Sequence, residues 1–164
     1  MKILAVDDDE SILDILRHAL SGTGHHDVST ALSAKNALEA ISDENTIFDC
    51  FLFDIQMPIM DGIDLTALVR QTPGYRHKPI LMLTAMDDKG YLDRAFAAGA
   101  TDYVTKPFDF MELRVRLQEA QKLAHDKAHH DFWPRLDEAT KAPNEPTGTG
   151  AANGTADAVK TLID

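Results

Sequence analysis

A single cysteine, Cys50, and a single tryptophan, Trp133, occur among the 164 residues. One thiol cannot close an intrachain disulfide, and the apolar run Phe51–Phe53 beside it points to a packing role on a buried strand. Positive charge is also scarce. Lys and Arg number 16 against 27 Asp and Glu, a formal net charge of −11, and no local basic patch is evident along the chain. That balance argues against non-specific binding to nucleic acid or to an anionic membrane, since both need clustered cations. Long apolar runs are missing too. The first one, Ile3–Val6, stops at an acid and is too short for a signal-peptide core, and no stretch approaches the length of a membrane span. The expected setting is the cytoplasm, with no membrane contact and no direct nucleic-acid binding by this chain. What remains, 44% hydrophobic and 26% charged residues, is the composition of a soluble globular domain, at a length that fits one ordinary domain with some chain left over.

The apolar residues fall into short runs at Ile3–Val6, Phe51–Phe53, Ile80–Leu83 and Tyr103–Val104, with a weaker one near Val28. Between them lie stretches with helical spacing: Ser11–Leu20, Ala34–Ile41, Ile63–Arg70, Gly90–Ala98 and Phe110–Ala124. Strands without polar alternation, each followed by a helix, predict an α/β fold whose parallel sheet is covered on both faces, a three-layer α/β/α arrangement. Pro58, Asp61-Gly62, Pro73-Gly74, Gly99 and Pro107 fall between elements, as turn residues should. No repeat exists beyond this alternation.

Four consecutive acids, Asp7 to Glu10, follow the first strand. Capping a helix explains one of them, either Asp9 or, in its place, Ser11, and a helix N-terminus tolerates Asp9 and Glu10. Asp7 and Asp8 then need a partner of positive charge. In an open parallel sheet, ligands sit beyond the carboxyl ends of the strands. The residues at those ends are Asp7 and Asp8 after strand one, Asp54 after strand three, Thr84 after strand four and Lys106 after strand five. Carboxylates clustered there suit a hard cation, Mg²⁺ where a phosphate is involved, with Mn²⁺ as a substitute.

Asp7-Asp8, Asp54 with its sequel "MPIMDG", Thr84-Ala85, "AGATDY" and Lys106-Pro107-Phe108 together resemble a response-regulator receiver domain (CheY-like) of bacterial two-component signalling. The resemblance covers residues 1–124. It implies a flavodoxin-like, doubly wound five-stranded sheet of order 2-1-3-4-5. It implies that Asp54 accepts a phosphoryl group from a sensor histidine kinase or a histidine phosphotransferase, as a signalling phosphoacceptor and not as an enzyme acting on other substrates. Asp8 would bind Mg²⁺ directly, Asp7 mainly through water, with Asp54 and the Gln56 backbone carbonyl completing the protein ligands. Lys106 would pair with Asp54 and then with the phosphoryl group. Thr84 and Tyr103 would form the switch, remodelling the face made by the fourth helix, fifth strand and fifth helix for a partner, an output domain or a homodimer. Gln56 and Met86 would set how fast the phosphate is hydrolysed. For dimerisation Asp102 and Arg116 match one charged pair of the family, whereas Leu92, Ala97 and Thr101 replace other charged members.

Each residue alone has an ordinary explanation. Asp54 could be a turn residue, Thr84 a strand-end hydroxyl, Lys106-Pro107 the start of a helix, and Tyr103 a half-buried aromatic. Their joint order at strand ends is what the ordinary explanations do not cover. A haloacid-dehalogenase-type phosphatase would account for "VDDDES", but it needs an acidic pair after the lysine, and Asp87-Asp88 precede Lys106. It also leaves Asp54 and "MPIMDG" without a task. Residues 125–164 read as a helical extension followed by a flexible tail or linker, with three prolines and a Gly/Thr/Ala/Asn stretch. They carry no helix-turn-helix pattern, so the chain is either a stand-alone receiver or the input part of a longer transcription factor or signalling enzyme. Phe132 and Trp133 could dock on the domain or a partner. His125, His129 and His130 could suggest a metal site but lack a further fixed ligand, and His25-His26 read as loop residues before strand two.

Overall fold

The computed structural model describes residues 1–22, 26–85 and 89–140, with side chains described up to residue 126 except at 89 and 124. His25, Met86 and residues 141–164 fall outside it, as do the side chains of His129, His130, Phe132 and Trp133. The strands are β1 (Lys2–Val6), β2 (Asp27–Ala31), β3 (Cys50–Asp54), β4 (Ile80–Thr84) and β5 (Asp102–Thr105). They alternate with α1 (Glu10–Ser21), α2 (Ala34–Ile41), α3 (Gly62–Gln71), α4 (Lys89–Ala98) and α5 (Phe110–Thr140). All neighbouring strands are parallel, as the strand pattern predicts, in the order β2-β1-β3-β4-β5 that the resemblance implies.

Successive residues of each strand feed opposite faces, which is why the runs are apolar throughout. Leu4, Val6, Phe51, Phe53, Ile80 and Met82 pack under α2, α3 and α4, where Ala37, Leu65 and Ala95 meet them. Ile3, Ala5, Leu52, Leu81 and Leu83 pack on the other face against Leu13 and Leu16 of α1 and Leu113 and Leu117 of α5. Cys50 is fully buried in that second layer, and burial pushes its thiol pKa up to about 12. It is a packing residue.

Asp9, not Ser11, caps α1: its side chain accepts from the Ser11 amide at 2.8 Å. Asp61 caps α3 in the same way, accepting from the Asp64 amide at 2.8 Å. The fifth helix runs past Ala124 to Thr140. Ala, Leu, Gln and Lys through this region are strong helix formers, and a proline at 134 removes one backbone donor without ending the helix. Among the described residues no helix is long and apolar enough to cross a membrane.

Candidate functional site

Parallel pairing aligns the carboxyl ends of the central strands, so side chains just beyond Val6 and at Asp54 and Thr84 emerge on one edge. Because β1 lies between β2 and β3, the chain leaves β1 and β3 toward opposite faces of the sheet, and a crevice opens between their loops. Asp7, Asp8 and Asp54 meet in that crevice. One oxygen from each lies within 4.8 Å of the others, the one such acidic group among the described residues.

Their environments differ. Asp7 is 1% exposed, and both of its oxygens are engaged: Oδ1 accepts from the Asp9 amide at 2.9 Å and Oδ2 from Lys106 Nζ at 2.6 Å. Asp54, 5% exposed, accepts from the same ammonium through Oδ1 at 2.8 Å. Asp8 is exposed at the mouth of the crevice. Lys106, directly after β5, therefore bridges the ends of β1 and β3, and its own amide donates to the Thr84 carbonyl at 2.6 Å.

Burial raises the Asp54 pKa, and the nearby Asp7 and Asp8 charges raise it further against the opposing pull of Lys106. Burial alone would lower the Lys106 pKa, but hydrogen bonds to Asp54 and Asp7 outweigh it and the net direction is upward. Lys106 is thus a full cation at neutral pH, and two buried carboxylates share it. Three acids and one lysine leave the corner short of positive charge. Oxygen donors of this kind suit Mg²⁺ or Mn²⁺, so the residues present fit the ion that the resemblance implies.

Thr84 is buried at the end of β4, level with Thr105 of β5. Tyr103 lies two residues earlier on β5, half-buried, with its ring edge-on to Phe96 of α4 at 6.3 Å and 80°. Gln56 is exposed, just after the β3 end and Ile55, whose amide donates to the Leu83 carbonyl at 2.9 Å. Asp102 and Arg116 pair within one chain, at 3.2 Å.

Two features of this corner escape a reading of the sequence. Gly62, expected only as turn punctuation, begins α3 directly against the end of β3. Its amide donates to the Ile55 carbonyl at 3.0 Å, and a Cβ on it would lie 2.0 Å from the Asp54 carbonyl oxygen. Ile59 is fully exposed with φ of 73°, and the Met60 amide closes a three-residue turn on the Pro58 carbonyl at 2.8 Å. A β-branched residue in that region is strained. The signal was present in "MPIMDG", but the spacing reveals its meaning only once the loop is seen doubling back to Asp54.

Comparison with known proteins agrees with this architecture. A sequence model of the response regulator receiver domain matches residues 3–118. The chain is 34% identical over 118 residues to the chemotaxis protein CheY1 of Helicobacter pylori, covering 72% of this chain and 94% of that one. It is 36% identical over 127 residues to the two-component response regulator ARR12 of Arabidopsis thaliana and 34% identical over 116 residues to the transcriptional regulatory protein YvrH of Bacillus subtilis. Those matches cover 77% and 71% of this chain but 21% and 47% of the relatives, so the chain spans between about a fifth and about half the length of these two. The structure of the Vibrio cholerae chemotaxis protein CheY4 superimposes with a TM-score of 0.68 at 34% identity, over 73% of this chain and 97% of that one. Fold and sequence thus lead to one conclusion: the chain belongs to the response regulator receiver domain family of two-component signalling.

Proposed function

We propose that Asp54 is the phosphoacceptor of this receiver, taking a phosphoryl group from a phosphohistidine on a sensor histidine kinase or a histidine phosphotransferase. The observation that carries this reading is the single Lys106 ammonium held between the buried carboxylates of Asp54 and Asp7. An Asp54 oxygen attacks phosphorus, the bond from phosphorus to the donor imidazole breaks, and the imidazole leaves with the electron pair. Lys106 then holds a phosphoryl oxygen as it now holds Asp54, and because it is already in place no reorganisation is needed as charge moves onto the phosphoryl group. Asp7, Asp8, Asp54 and the Gln56 backbone carbonyl would hold Mg²⁺, which supplies further positive charge against the phosphoryl oxygens. Asp8 is the better direct ligand of the first pair, since Asp7 already spends both oxygens inside the protein.

Thr84 is within one strand residue of the corner, and Tyr103 lies behind it against α4. A phosphoryl group on Asp54 would draw in the Thr84 hydroxyl and let Tyr103 follow, changing the α4-β5-α5 face that a downstream partner, an output domain or a second copy reads. The chain catalyses only its own phosphorylation and dephosphorylation, and it works in the cytoplasm beside its kinase. Residues 1–124 form the receiver, and the last helix continues beyond them to Thr140. The length of the two-component relatives supports a second reading, in which this receiver is the input part of a longer protein. Incubation with acetyl phosphate and Mg²⁺ should add one phosphate by intact mass, and Asp54→Asn should abolish it. Labelling of Asp7 or Asp8 in the unaltered chain would overturn the assignment.

A further inference from the structure

Arg70, Arg76 and His77 fall within eight residues of one another in an acidic chain. They line a cleft at the sheet edge opposite the acidic corner, between the C-terminal ends of α3 and α4. The cleft encloses about 990 Å³, and Thr72, Thr101 and Phe96 complete its chemically distinctive walls. No carboxylate lines it, in a protein with 27 acidic residues.

Arg70 is spread over four oxygens. Its Nε donates to the Gly99 carbonyl at 2.9 Å, and Nη1 donates to the carbonyls of Tyr75 at 3.0 Å and Lys78 at 2.7 Å. Nη2 reaches the Thr101 hydroxyl at 3.4 Å, the longest of the four. All four acceptors are neutral, so the guanidinium charge is oriented but not cancelled. Burial lowers its pKa only to about 10, so it stays charged at neutral pH. Arg76 is exposed and makes no hydrogen bond or ion pair among the described residues. Two guanidinium groups beside the Thr101 hydroxyl form a donor set suited to phosphoryl oxygens, while the Thr72 hydroxyl donates to the Leu68 carbonyl at 3.1 Å. Phe96, 45% exposed, adds an aromatic surface. The volume lies within the range of small-molecule sites, about 300–1,000 Å³.

We propose that this cleft binds a small organic phosphate, with the phosphoryl group held by Arg76 and Nη2 of Arg70 and the carbon skeleton laid against Phe96. The site is separate from the phosphoacceptor and does not rest on its assignment.

The test uses the full chain carrying Asp54→Asn, in EDTA, so that the acidic corner holds no metal and cannot be phosphorylated, and Asp7 and Asp8 outweigh the one Lys106 charge. Isotope-labelled protein is titrated with phenyl phosphate and, separately, with inorganic phosphate, following backbone amides by NMR. Phenyl phosphate should give saturable shifts at Gly74, Arg76, Gly99 and Thr101, with a Kd on the order of 1 mM or tighter, and inorganic phosphate should bind more weakly. Arg76→Glu, an exposed change that leaves the Arg70 contacts intact, should weaken binding by about tenfold or more. Absence of saturable shifts overturns the proposal. So does binding centred on Asp7, Asp8 and Lys106, equal affinity for inorganic phosphate, or affinity unchanged in Arg76→Glu.

Discussion

Replacing Gly62 by alanine sets a rule of helix propensity against a tertiary contact. Alanine is better than glycine inside a helix by about 1 kcal/mol, and Gly62 is not in the left-handed region where only glycine is comfortable. On local grounds Gly62→Ala should therefore stabilise α3. The structure reverses the sign. A Cβ at 62 would lie 2.0 Å from the Asp54 carbonyl oxygen and 2.9 Å from its carbon, whereas real Cβ atoms essentially never come within 3.0 Å. Something must move by about 1 Å or more. The obstacle is backbone at the end of a fully buried central strand, next to the Ile55–Leu83 backbone hydrogen bond, so it cannot swing aside as a side-chain tip would. Overpacking of this kind costs about 1–3 kcal/mol and sometimes more, and a backbone obstacle belongs at the upper end. Subtracting the propensity gain leaves a net loss of about 2 kcal/mol, a fall in Tm of about 8 °C for a domain of this size. The displaced atoms belong to Asp54, so its 2.8 Å contact to Lys106 should loosen and phosphorylation by acetyl phosphate should slow. Gly74→Ala serves as the control. Its Cβ would meet nothing within 4 Å, but φ is +86°, so it should cost about 1–2 kcal/mol from conformation alone and leave phosphorylation unchanged. Thermal unfolding and phosphorylation rates on both variants decide the matter. A Gly62→Ala chain as stable as the original, with its phosphorylation intact, would refute the steric argument.

Asp54→Asn should stabilise the metal-free protein at neutral pH. Burial raises the native Asp54 pKa above its unfolded value of about 3.8, so stability is lost as the pH rises through the interval between the two and the acid ionises. The advantage of the Asp54→Asn chain over the unaltered one in denaturant unfolding with EDTA should therefore shrink to nothing below about pH 4, and an advantage that grows toward acid would contradict the sign. Asp8→Ala should weaken Mg²⁺ binding more than Asp7→Ala, because Asp7 gives its oxygens to Lys106 and the Asp9 amide; metal titrations showing the reverse order would reassign the direct ligand. Met86→Glu should shorten the life of the phosphorylated state, because a carboxylate two residues after Thr84 can hold an in-line water that a thioether cannot. Decay measured after donor removal, slower in Met86→Glu than in the unaltered chain, would show the opposite.

The order of elements was legible because a parallel sheet with two covered faces demands strands that are apolar throughout and helices with one apolar stripe. The runs Ile3–Val6, Phe51–Phe53 and Ile80–Leu83 meet that demand without help from distant residues. The acidic corner was legible for a related reason: strand ends in such a sheet converge, so Asp7, Asp8, Asp54, Thr84 and Lys106 could be placed together from their positions in the runs alone. The strand order 2-1-3-4-5 came with the family resemblance, since local pattern does not record which strands pair. Other features depended on contacts between segments far apart in the chain. Glycine in "MDG" reads as a turn signal, and only the close return of α3 to the end of β3 turns it into a steric requirement beside Asp54. Asp7 and Asp8 are equivalent as letters, yet one is enclosed by Lys106 and the Asp9 amide while the other faces solvent. Arg70, Arg76 and His77 are near neighbours in the sequence, but the cleft they share with Gly99 and Thr101 depends on the packing of α3 against α4 and the path of the loop before β5. Periodicity carries information about which face of an element is buried. Distances between charged side chains, and hence which of them are shared, shielded or left uncancelled, exist only after the chain has closed on itself.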